Sequence, residues 1–184
     1  MSIRWVLAVV LAGVLVTGLS WFEPWRLVTD STVDEAAPTS GPAPTSGPAR
    51  TPATRSTTAP ATPATPAAAP QDVLLGRGSF ESAEHDTSGR ALVLQLADGR
   101  RFVRLEELDT SDGPDLHVWL TDRPSGGDWH SYDDGRHLAL GELKANHGNQ
   151  NYEIPTDARL EGLVSVVVWC DRFDVAFGTA AVDL

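Results

Sequence analysis

The 184-residue chain carries a single cysteine, Cys170, which closes its most apolar β-like run, Leu163-Val164-Ser165-Val166-Val167-Val168-Trp169-Cys170. A lone cysteine cannot form an internal disulfide. Its chemistry reduces to core packing, thiol redox, ligation of a cofactor, or pairing with another molecule. Alternation along a strand places Cys170 on one face with Val168, Val166 and Val164, and the other face is apolar as well. Such surroundings raise a thiol pKa and favour an inert packing residue. Yet the apolar run stops at Cys170, and Asp171 and Arg172 follow directly. At a strand end, Arg172 is placed to stabilise a thiolate.

The five histidines (His85, His117, His130, His137, His147) are the other candidate ligands. A blue-copper site needs two His and a Cys, often with an axial Met. The only Met is Met1, and no His follows Cys170 at short spacing, so copper is disfavoured. No His-x-His or Cys-x-x-Cys pattern argues for zinc, and no metal site is expected. Ligation of haem by Cys170, or by a histidine pair with His117 and His147 as candidates, stays open.

Two further groups bear on the thiol. The stretch Lys144-Ala-Asn-His-Gly-Asn-Gln-Asn-Tyr152 is rich in amides, which commonly satisfy the backbone of an irregular connection. Its sharper reading is a polar pocket near Cys170 lined by Lys144, His147 and Gln150. Asp115 is expected to cap the Gly113-Pro114 turn. The acidic loops lack the spacing of a Ca²⁺ loop, and no Gly-x-Ser-x-Gly elbow supports a hydrolase.

Three segments must position these residues. Residues 1–25 contain the apolar stretch 3–22, interrupted only by Arg4 and flanked by Trp5, Trp21 and Trp25. About 20 apolar residues suffice to cross a bilayer, so an uncleaved signal anchor is expected, with the rest of the chain outside the membrane. The alternative is secretion after signal cleavage. Neither a lipoprotein cysteine nor a twin arginine accompanies the stretch. Residues 26–71, dominated by Ala, Pro, Thr and Ser, are expected to form a disordered stalk. With polyproline II character at about 3.1 Å per residue, it could reach on the order of 100 Å. Residues 72–184 read as one all-β domain, an antiparallel sandwich or partly closed barrel. Strands are expected over 91–96, 101–105, 116–120, 138–140, 151–154, 163–170 and 175–177, with Asp98-Gly99 as a hairpin turn.

Charge narrows the partners. The net charge of −11 arises wholly in 72–184, where 21 Asp+Glu face 10 Lys+Arg. Such a surface repels phosphate backbones, so nucleic acid is not an expected partner. Arginine outnumbers lysine, with Lys144 the one lysine, in keeping with a GC-rich bacterial coding bias.

The ordered elements resemble a known family. Gly78-Ser-Phe80, His85, Ser88-Gly89, Gly113-Pro-Asp-Leu116 with Val118-Trp-Leu120, the run 140–155 (LGELKANHGNQNYEIP) and the run 165–180 (SVVVWCDRFDVAFGTA) follow the pattern of the DM-thirteen electron-transfer domain over about residues 76–184. The resemblance implies an extracellular β-sandwich that takes part in electron transfer through one cysteine, as a free thiol or by holding a prosthetic group such as haem. The corresponding position is Cys170, between Trp169 and Asp171. It also implies a redox or cell-surface protein partner. The reading from another class is a non-catalytic binding or adhesion module in which Cys170 is structural.

Overall fold

The computed structural model describes residues 29–41 and 71–184, with Arg4, Trp5, Leu11 and Gly13. The expected anchor and most of the expected stalk lie outside the described residues. Among the described residues, no helix is long and apolar enough to cross a membrane.

Nine strands make up the described fold: β1 Thr32–Asp34, β2 Val73–Ser82, β3 Ser88–Gln95, β4 Arg101–Asp109, β5 Leu116–Thr121, β6 His137–Glu142, β7 His147–Ile154, β8 Ser165–Cys170 and β9 Val175–Ala181. They form one sheet in the order β1-β7-β4-β3-β2-β9-β8-β5-β6, curled into a half-barrel. All pairs are antiparallel except β1 with β7, which is parallel. The all-β expectation holds, as one mixed sheet.

Strand β2 joins the two wings. Its first part pairs with β3 and its end, Phe80–Ser82, pairs with β9. Glycine makes this junction close enough: a Cβ on Gly78 would lie 1.9 Å from the Ala181 carbonyl oxygen. Only a residue without a side chain lets the end of β9 cross there.

Between the wings lies the main core. Val93, Val103, Leu105, Tyr152 and Ile154 from β3, β4 and β7 meet Val118, Leu120, Val166, Val168 and Cys170 from β5 and β8. A second cluster, Trp119, Tyr132, Val167, Trp169 and Ala176, fills the opposite face of the β5-β8-β9 wing. Strand β8 is therefore buried at all six positions, which explains its unbroken apolar run.

Strand β1 departs from the sequence reading. It falls inside 26–71, where composition argued for a structureless stalk, yet Thr32, Val33 and Asp34 pair with His147, Gly148 and Asn149. Side chains fasten it along its length. Ser31 N–H donates to Asn146 Oδ1 at 2.7 Å, and Asn149 donates to Asp34 at 2.6 Å. Glu35 pairs with Lys144 Nζ at 2.8 Å and accepts from the Asn151 amide at 2.7 Å. The edge of β7 offers unpaired backbone groups, and this segment satisfies them. Composition misses it because its stabilisation comes from polar contacts across more than 100 residues of chain.

Glu35→Ala removes two charge-assisted bonds and is expected to weaken β1 docking by about 1–3 kcal/mol. Hydrogen exchange should quicken at the Asn151 amide while β8 and β9 amides stay unchanged.

Candidate functional site

Cys170 is the last residue of β8, paired with Leu116 of β5 and Val175 of β9. It is 0% exposed. Its Sγ–H donates to the Pro114 carbonyl at 3.1 Å. The Asp112–Asp115 loop delivers that carbonyl by close approach to the core: a Cβ on Gly113 would sit 2.8 Å from the Phe177 ring. Burial pushes the thiol above its ordinary value, with the Asp115 and Glu84 charges adding to the rise and the Phe173 and Arg172 amides opposing it. The resting group is a packed, protonated thiol. Arg172 lies in the exposed turn Asp171–Asp174 that covers the strand end, where Asp174 N–H donates back to the Cys170 carbonyl at 2.9 Å.

Beside the thiol, a polar cluster forms at the surface. Asp115 adopts a left-handed φ of 70°, a conformation that Asp tolerates better than most residues. Its carboxylate lies 3.0 Å from His117 Nε2, and the Asp171 carboxylate lies 3.5 Å from the same nitrogen. Chain placement explains the convergence: Asp115 directly precedes β5, His117 is the second residue of that strand, and Asp171, just past the end of β8, donates its amide to the Asp115 carbonyl. The three ligand atoms lie within 4.8 Å of one another, a spacing compatible with a shared metal ion. Sequence reasoning missed Asp171 as a partner; the signal was its place opposite Asp115 once the β5–β8 register is known. The cap on the Gly113-Pro114 turn comes from Asp112, whose carboxylate accepts the Gly113 amide at 2.9 Å.

A pocket of about 470 Å³ opens next to this end of the wing. Asp115, Arg172 and Lys144 from the candidate set line it, joined by Thr29, Ser31 and Glu142 among others. Gln150 and His147 are not among its lining residues. Gln150 is fully buried, donates to the Ala145 carbonyl at 2.7 Å and accepts from Tyr152 Oη at 2.7 Å. Burial, opposed in part by the Lys144 amide, drives the Tyr152 phenol up to about 12. His147 sits between Asp30 at 3.2 Å and Asp109 at 3.3 Å. The Lys144 ammonium is engaged with Glu35 and the Asn151 carbonyl. Trp169 points away from Cys170 into the outer cluster, stacked on Trp119 with ring centroids 5.0 Å apart.

Fold and site together define a small all-β domain with one buried thiol at the rim of a half-barrel. Residues 79–182 match the family described as Electron transfer DM13, and the chain belongs to that family. No curated protein and no solved structure matches the chain.

The residues around Cys170 do not fit a haem. An axial sulfur ligand needs an open face toward the macrocycle, whereas this sulfur is fully enclosed and already bonded to Pro114. His117 and His147 stand in different wings, each against carboxylates.

The raised thiol pKa predicts a pH signature. An unfolded thiol ionises near 9.0 and the folded one higher. The preference for the protonated form thus contributes fully below pH 9 and is lost as pH rises through the folded value. Denaturant midpoints at pH 8 and pH 10 should fall further for the wild type than for Cys170→Ala.

Proposed function

We propose that the chain is a membrane-tethered domain outside the bilayer that takes part in electron transfer through the Cys170 thiol, with a redox protein as its partner. Membership of the Electron transfer DM13 family carries the electron-transfer part of this reading, and the apolar stretch 3–22 motivates the tether. In support, Cys170 is the one thiol of the chain and lies directly beneath a surface turn.

The chemistry requires an opening step. Lifting the 171–174 turn and the 112–115 loop exposes the sulfur, and water then stabilises the thiolate. The thiolate attacks a disulfide of the partner, one sulfur leaves as a thiolate, and a mixed disulfide remains. The opening must stay local. Peeling β8 further would expose Val168 and Val166 at roughly 1.5–3 kcal/mol each.

A second reading, the non-catalytic binding module, is favoured by one observation: the thiol is 0% exposed and bonded to Pro114. There, Cys170 only packs.

Mixed-disulfide formation between the full chain and glutathione disulfide, followed by mass spectrometry at increasing sub-denaturing urea, separates the two. Under the first reading the rate is nearly independent of urea, because a small local opening exposes little surface. A rate that climbs with the full urea dependence of global unfolding would sink the redox role. Cys170→Ala should form no adduct.

A further inference from the structure

The route of the N-terminal segment fixes which end of the domain the apolar stretch leads to. Thr29 Oγ1 donates to Asp112 at 2.5 Å, and Thr29 and Ser31 line the pocket beside Arg172, Asp115 and Leu116. The chain therefore joins the domain at the Cys170 end. From there β1 runs parallel to β7, away from that end. At the opposite end Ser40 bonds Asp72, Asp72 accepts the Ala97 amide at 2.8 Å, and the Thr39 carbonyl accepts Arg100. The residues flanking 42–70 are thus fastened together at that end. Whatever its extension, the segment 42–70 cannot set the distance between the apolar stretch and the domain.

Seven residue steps separate Phe22, the last residue of the apolar stretch, from Thr29. Fully extended, they span at most about 25 Å, against the order of 100 Å expected for a stalk. We infer that the Cys170 end faces the bilayer at this short range, and that the partner served there is a protein held in the same membrane. This rests on the reading of residues 1–25 as an anchor. Charge narrows the partner's chemistry. Asp30, Asp109, Asp112, Asp115 and Asp171 cluster at this end, so the rim is repelled by anionic headgroups and complements a basic protein surface.

The test uses the full chain in phosphatidylcholine vesicles, with a donor fluorophore on Phe173→Cys or Thr156→Cys in a Cys170→Ala background. Phe173 belongs to the turn over Cys170, and Thr156 lies at the opposite end, where its carbonyl accepts Arg101. The fully buried wild-type Cys170 offers a second background if the alanine variant loses its unfolding transition. With acceptor-labelled lipid, transfer should be several-fold stronger from Phe173 than from Thr156, and deletion of 42–70 should leave both values unchanged. Moving the acceptor to a lipid-anchored oligolysine peptide should keep the preference for Phe173 and make it fall with salt.

Equal transfer from the two sites, or values that rise on the deletion, would overturn the orientation while leaving the anchor intact. Salt-independent transfer to the peptide would overturn the basic partner alone. A chain that fails to float with the vesicles would overturn the anchor and the orientation with it.

Discussion

Everything in the domain depends on burying β8 from both sides. Its six residues, Ser165–Cys170, carry no charge, so each face must be covered. One face is met by the β3-β4-β7 wing folding over it, and the other by Trp119, Ala176 and Tyr132 of the 122–136 loop. The first requirement closes the sheet toward a half-barrel, and the second keeps the long loop packed. Cys170 inherits its character from this constraint. It is the core-facing terminal residue of a strand that cannot afford exposure, so its thiol rests protonated against a carbonyl.

That environment sets the terms for the proposed thiol chemistry. A thiol poised for attack would sit beside cations in partial contact with water, whereas Cys170 has burial and two nearby carboxylates raising its pKa. Reactivity, where it occurs, must be gated by the loops that meet above the strand end. Those loops also bring Asp115, His117 and Asp171 together, so a surface polar cluster and a buried thiol share the same two backbone segments.

Much of the domain was legible in order: the Asp98-Gly99 turn between β3 and β4, the alternation of β5, and the apolar β8 all lie where the residues suggested. Strand β2 was harder to see, because four of its ten residues are Gly or Ser near the wing junction, where close approach replaces side-chain packing. The site was legible only in part. Asp115, Lys144 and Arg172 do share a pocket, but Gln150 turned inward to Tyr152, and His147 faced Asp30 and Asp109. The amide-rich run 144–152 looks alike on paper whether it lines a cavity or braces a strand.

By itself the sequence determined the all-β class, the single thiol and the acidic character, because alternation, residue count and net charge need no knowledge of partners across space. Which side of Cys170 is open was not among these, since burial depends on what a second wing and two loops place over it. Only the tertiary structure decided that the thiol is enclosed, that Asp171 joins Asp115 and His117, and that part of the expected stalk docks as β1 at the Cys170 end. Each rests on contacts between residues far apart in the chain, whose strength comes from register and desolvation that no local pattern records.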